Sequence, residues 1–184
     1  MKRILILATS CMILFACSND KKDEPKTGEN TMSSDGSKAL PQSEFADAKY
    51  TEIGKKMNAQ LQSGDIDGWL NNYAENAVYT WSAGDSLAGK KAITDYWKNR
   101  RMNVIDSISI SNDIWLPIKV NTPQKGPDIP GVWLMVWSQT DVKYKKGGKL
   151  TFWVHNLHHF DANDKIDRTL SFVDFAPINK ALGK

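Results

Sequence analysis

Every histidine of the chain lies in one ten-residue stretch, TFWVHNLHHF, at positions 151–160. His155, His158 and His159 could be metal ligands, a catalytic base with its helpers, or polar side chains of a strand. In a strand, side chains alternate between faces and the rise is about 3.3 Å per residue. His155 and His159 would share one face roughly 13 Å apart, too far for one ion, with His158 on the other. The spacing, which also lacks the helical pattern of zinc motifs, predicts no metal site.

Other residue types that could do chemistry give weaker signals. Ser82, Ser86 and Ser138 lie in no GxSxG elbow. The glycines form no phosphate-binding loop, so no cofactor is predicted. The histidines therefore remain the main candidates for a functional site, and their roles depend on the elements that position them.

The N-terminal sequence MKRILILATSCMILFAC predicts a signal peptide over residues 1–16. A basic pair, Lys2 and Arg3, precedes an apolar run shorter than the about 20 residues that a membrane span needs. The run ends in LFAC, which resembles a bacterial lipobox, and this resemblance implies that Cys17 is acylated and becomes the mature N-terminus. An ordinary secretory signal or an uncleaved anchor also fits these residues.

The segment that follows, residues 17–42, is rich in Ser, Asp, Lys and Gly and poor in large apolar side chains. Such a segment cannot bury enough surface to offset its ordering entropy, which predicts a flexible tether. We therefore expect an outer-membrane lipoprotein of the bacterial cell envelope, with a folded domain at residues 43–184. The KKDE run at 21–24 resembles signals that send some Gram-negative lipoproteins to the cell surface, although a plain charged spacer fits equally well.

Charge and cysteine content exclude several classes of function. The chain has a net charge of +3, and removal of the signal peptide would take away two positive charges. No stripe of basic residues with interleaved aromatics is present, so no nucleic-acid partner is predicted. Because Cys11 and Cys17 both precede the domain, its residues can form neither disulfides nor a cysteine nucleophile.

The domain reads as helices first and strands afterwards, an α+β pattern. Ser43 is a predicted N-cap and Gly64 a predicted terminator of the first helix; Asp65 would cap a second, and a third spans 90–101. Five apolar residues at helical spacing mark the inward face of the first helix: Ala46, Tyr50, Ile53, Met57 and Leu61.

The strands are predicted from a change in periodicity. AVYTW at 77–81 is a short strand, and from Ile108 onward apolar residues recur every second position, with a bulge near Asn112. KKGGK predicts a hairpin turn in which Gly147–Gly148 supply positive φ. The last strand is predicted at 166–175, which completes an antiparallel meander.

Four motifs in order resemble the nuclear transport factor 2-like superfamily, which includes ketosteroid-isomerase and SnoaL-like polyketide-cyclase branches. They are the Gly64–Asp65 turn, YAENAV leading into the first strand, Gly89 before the third helix, and the FDxxxKI pattern at 160–166. The resemblance covers about residues 45–175. It implies a cone-shaped α+β fold, with three N-terminal helices packed on a curved, mainly antiparallel sheet around a deep pocket.

The resemblance also indicates which residues occupy the catalytic positions of the ketosteroid-isomerase branch. Steroid isomerization needs a carboxylate base and an oxyanion hole made of a tyrosine and a protonated aspartic acid. The motifs place these positions at Trp81, Met57 and Asn156 respectively. An indole and a thioether cannot exchange the proton, whereas the Asn156 amide could orient a ligand. If Asn156 faces the pocket, so does His158.

Seven tryptophans in the chain indicate a pocket lined by aromatic rings, although core packing is the ordinary role of such residues. With Tyr73, Asn156 and His158 as its only polar groups, the pocket would suit a small, mainly apolar molecule. The predicted binding residues are Met57, Tyr73, Trp81, Trp97, Asn156 and His158. Two alternatives remain: a SnoaL-like enzyme with His158 as a weak candidate base, and a dimeric scaffold without a pocket whose outer sheet face, with Trp153 and His155, binds a partner. The same outer face is also a candidate homodimer surface.

Overall fold

The computed structural model describes residues Ala39–Lys184. The predicted signal peptide, Cys17 and most of the predicted tether lie outside the described residues. The strands are β1 Ser43–Phe45, β2 Tyr73–Trp81, β3 Ser86–Ala88, β4 Ile105–Val120, β5 Gly131–Tyr144, β6 Lys149–Phe160 and β7 Ile166–Phe172. The helices are α1 Lys49–Ser63, α2 Ile66–Leu70, α3 Lys90–Asn99 and α4 Phe175–Ala181, and a π-turn, Arg100–Val104, follows α3. None of these helices is long and apolar enough to cross a membrane.

The seven strands form one sheet in the order β1-β4-β5-β6-β7-β2-β3. All neighbours are antiparallel except β2 and β7, which run parallel. The main core lies between α1–α3 and one face of the sheet, where Met57, Trp69 and Ile93 pack with Leu134 and Phe160. The predicted α+β architecture is confirmed.

The junction between the first two helices agrees with the sequence prediction. Gly64 ends α1 in the left-handed region, at φ 83°. The Asp65 carboxylate accepts a 2.9 Å hydrogen bond from the Gly68 amide and so caps α2. Near its middle, α1 approaches the sheet so closely that a Cβ on Gly54 would lie 2.4 Å from the Trp115 ring.

The predicted start of the first helix is wrong. Ser43 lies in β1 and pairs with Val120 of β4, and α1 begins after Ala48, whose side chain makes no cap hydrogen bond. A three-residue edge strand has no period of its own to distinguish it from the approach to a helix.

The bulge near Asn112 is confirmed, since the β4–β5 register shifts between Ser111 and Ile114 and Asn112 has φ 54°. The explanation for the two glycines of the β5–β6 hairpin is wrong, because neither has positive φ. Gly147 is needed for a different reason: a Cβ there would lie 2.2 Å from the Ala181 carbonyl oxygen.

Three further elements differ from the prediction. β2 begins at Tyr73 rather than at residue 77, and β3 lies between the predicted first strand and the predicted third helix. The last strand ends at Phe172, and α4 follows, capped by the Asp174 side chain. The parallel pairing of β2 with β7 also means that the sheet is not a simple meander.

Candidate functional site

A cavity of about 130 Å³ lies between the helices and the inner sheet face. This is close to the roughly 150 Å³ of an engineered protein cavity that holds benzene. Its wall is mostly aromatic and aliphatic, with tryptophans from four different elements: Trp69, Trp81, Trp97 and Trp115. The space therefore matches a molecule built around about one ring.

Five of the six predicted binding residues line this cavity: Met57, Trp81, Trp97, Asn156 and His158. Tyr73 does not. It is buried at the start of β2, its ring packs on Trp69 with centroids 4.8 Å apart, and Thr169 donates a 3.4 Å hydrogen bond to its hydroxyl. Tyr73 thus belongs to the core behind the cavity. Ligand binding by the other five stays a prediction.

The three positions that steroid isomerization would need do meet in one cavity. Trp81 at the end of β2, Met57 on α1 and Asn156 on β6 all line it, and Trp81 and Met57 are buried. Within Ala39–Lys184, no aspartate or glutamate lines the cavity. The described wall therefore offers no carboxylate for proton transfer.

Two polar atoms of the wall are buried without a hydrogen-bond partner among the described residues: the Asn156 Oδ1 acceptor and the Trp97 Nε1 donor. An unpaired buried polar group costs about 1–3 kcal/mol. Buried polar groups are normally satisfied by protein, water or ligand. Asn156 and Trp97 both line the cavity, so one acceptor and one donor of its wall residues remain unpaired among the described residues.

His158 is buried and faces the cavity, as the strand alternation predicted. Its Nδ1 lies 2.9 Å from the Thr169 hydroxyl oxygen. Burial, with a smaller effect from the charge of His155, lowers the pKa of His158 to about 4. At neutral pH the ring is uncharged, and no described carboxylate pairs with it.

The other two histidines lie on the opposite face of the sheet, also as predicted. His155 stacks on Trp137 with centroids 4.0 Å apart. His159 is buried, with Nδ1 2.6 Å from the Asp167 carboxylate and Nε2 3.0 Å from the Pro130 carbonyl. Each ring is thus held by its own neighbours, and within the described part of the chain no three His, Cys, Asp or Glu side chains converge as metal ligands.

The prediction that only three polar residues serve the cavity is wrong. Ser138, Ser171, Tyr79 and Arg100 also line it. Ser171 could have been found from pairing, because it lies directly opposite Asn156 in the β6–β7 register. Burial raises the pKa of Tyr79 to about 12, so its hydroxyl stays protonated.

Comparisons with known proteins identify the fold. No protein-family model matches the sequence, and no curated protein matches it. Solved structures do match. A proposed isomerase from Bacillus subtilis has 20% sequence identity, with a TM-score of 0.54 over 73% of this chain and 93% of that one. A nuclear transport factor 2-like protein of unknown function from Burkholderia pseudomallei has 13% identity, with a TM-score of 0.58 over 73% and 97%.

A third match is a protein with a ketosteroid isomerase-like fold from Catenulispora acidiphila, solved in complex with trimethylamine. It has 10% identity and a TM-score of 0.52 over 72% of this chain and 92% of that one. These matches confirm the predicted cone-shaped, nuclear transport factor 2-like fold, which spans nearly the whole length of the matched structures. A shared fold of this kind does not by itself give a function.

Proposed function

We propose that this protein binds a small, mainly apolar molecule in the aromatic cavity and lacks ketosteroid-isomerase chemistry. The observation that carries the proposal is the pair of buried, unpartnered atoms, Asn156 Oδ1 and Trp97 Nε1, in a wall that is otherwise mostly apolar. A ligand that fills the space and pairs with these atoms would gain hydrogen bonds that the described residues do not supply. The trimethylamine complex of the Catenulispora protein supports small-molecule binding as a use of this fold.

The proposal favours binding over catalysis because the side chains at the site are poorly suited to proton transfer. A general base works best when its pKa is near the working pH, whereas the pKa of His158 is lowered to about 4 by burial. A proton taken up by His158 would also create a buried charge without a carboxylate to pair with it. Trp81 and Met57, at the positions of the base and the tyrosine, do not exchange protons.

The test is a fluorescence titration of the purified full-length protein with toluene, benzyl alcohol and cyclohexanol. A saturable change in tryptophan emission is expected for at least one compound, because Trp69, Trp81 and Trp97 line the cavity. Absence of a saturable change across the panel would contradict the proposal.

A variant pair locates the binding site. Asn156→Leu should weaken binding of benzyl alcohol by about 5- to 10-fold, the value of one hydrogen bond, while toluene binding changes little. Asn163→Leu, in the exposed turn before β7, is the matched control and should bind both compounds as the wild type does. Equal binding of benzyl alcohol by both variants would place the site elsewhere.

We also propose that the domain is held at the bacterial outer membrane by lipid on Cys17. The basis is the sequence pattern of residues 1–17 and the polar tether that follows. Growth of expressing bacteria with radiolabelled palmitate should label the wild-type protein, and Cys17→Ser should abolish labelling and release the protein from the membrane fraction. Labelling of the Cys17→Ser variant would refute this anchor.

A homodimer through the outer sheet face is a further proposal. One residue from each of four adjacent strands forms a row across that face, in the register Ile114–Trp137–His155–Phe172. Ile114 and Phe172 are 58% and 46% exposed. An exposed apolar row on a sheet face is typical of a surface that a second copy covers.

Sedimentation analysis of the full-length protein at micromolar concentrations tests this dimer. The wild type should sediment at twice the chain mass, and Phe172→Asp should be monomeric because it places charges in the contact. Met102→Asp, at a residue that is 65% exposed but lies in the π-turn and not in the row, should leave the dimer intact. A monomeric wild type would rule the dimer out.

A further inference from the structure

Among the described residues that line the cavity, one is charged, Arg100, which no sequence pattern indicated. Arg100 directly follows α3 and opens the π-turn, a type of distortion that is frequent at functional sites. Its guanidinium lies 5.6 Å from the centre of the Tyr96 ring. Tyr96 lines the same cavity, so the charge is held against the cavity wall.

Arg100 forms no ion pair with any carboxylate of the described residues, and its guanidinium makes no hydrogen bond to them. The neighbouring Arg101 provides a contrast. Its guanidinium donates to the carbonyls of Ile105 and Asp106, as expected for a structural arginine. Arg100 is thus a positive charge without a partner among the described residues, and the described cavity wall has no negative charge to balance it.

A second unsatisfied donor lies beside Arg100. Trp97 is three residues earlier on α3, and side chains at this spacing share one helix face. The buried Trp97 Nε1 has no partner among the described residues. The indole N–H and the guanidinium thus belong to two cavity-lining residues and have no acceptor among the described residues.

We propose that the ligand of this cavity is a small carboxylic acid with an apolar body, bound with its carboxylate at Arg100 and Trp97. The inference rests on the proposed binding function and defines its ligand class. A guanidinium matches a planar carboxylate with two parallel hydrogen bonds, the aromatic wall takes the apolar body, and the cavity volume limits that body to about one ring. A hydroxyl or amide N–H on the body would pair with Asn156 Oδ1.

The experiment compares phenylacetate with phenylacetamide, a neutral molecule of nearly the same shape, by calorimetric titration of the full-length protein. The wild type should bind phenylacetate about 10- to 100-fold more tightly, the range for a charge-assisted hydrogen bond. Arg100→Gln should remove this preference while it keeps phenylacetamide binding, which also shows that the variant is folded. Lys98→Gln, which removes a charge at the end of α3 and outside the cavity wall, should keep the preference.

The outcomes separate this inference from the proposed function. If the wild type binds acid and amide equally, or if Arg100→Gln keeps the preference, the carboxylate site is refuted and the binding function stands. If neither compound binds, and the neutral panel described above also fails, both proposals are refuted. The carboxylate site is supported if Arg100→Gln loses the preference for phenylacetate and Lys98→Gln keeps it.

Discussion

His158 should make the protein less stable in mild acid, and the size of the effect follows from its burial. In the unfolded state the pKa of His158 has the ordinary histidine value of 6.5, whereas in the folded state its pKa is about 4. The stability is therefore fully present above pH 6.5 and is lost as the pH falls toward 4, because the unfolded state binds more protons there. The full lowering corresponds to about 3 kcal/mol, of which about 2 kcal/mol is lost between pH 7 and pH 5.

Urea unfolding at pH 7, 6 and 5, followed by tryptophan emission, measures this loss. His158→Gln should have nearly the same free energy of unfolding at pH 7 and pH 5, because the titrating group is gone. His155→Gln, on the opposite sheet face, is the matched control and should keep most of the wild-type loss. The Lys49 ammonium lowers the pKa of Asp164, but that contribution disappears only at lower pH. A wild type with constant stability over this range, or an unchanged loss in His158→Gln, would refute the reasoning.

Two further predictions concern packing and hydrogen bonding. Gly54→Ala should destabilize the protein by about 1–3 kcal/mol in urea unfolding, because its Cβ would lie 2.4 Å from the Trp115 ring. Gly148→Ala, with no atom within 4 Å of the new Cβ, should change stability by less than about 0.5 kcal/mol, and similar losses in both would contradict this packing argument. Tyr50→Phe removes a 2.7 Å hydrogen bond to Asp164 and should cost about 1 kcal/mol in the same assay; an unchanged midpoint would show that this bond adds nothing to stability.

The sequence predicted the parts of the fold that local patterns determine. The α1–α2 junction follows from one glycine and one aspartate, and the bulge in β4 from a break in period. What it could not predict depends on pairing between distant segments. The three residues of β1 are a strand because β4 lies beside them, and Gly147 is required because α4 returns to the hairpin.

The candidate site shows the same division. Alternation along β6 correctly placed Asn156 and His158 on one face and His155 on the other. Arg100 was missed because a charged residue at the end of a helix is usually solvated. Only the π-turn and the contact of the Arg100 guanidinium with the ring of Tyr96, which lines the cavity, show that its side chain faces inward.

The parallel pairing of β2 with β7 has a consequence for folding kinetics. β2, at Tyr73–Trp81, gains its long partner only when β7, at Ile166–Phe172, is available. Contacts between such distant segments slow folding, since a large loop must close before they form. During synthesis, the helices α1–α3 and β2 would therefore keep exposed apolar faces until β7 has left the ribosome. The sheet of this domain can therefore be completed only after nearly the whole chain has been synthesized.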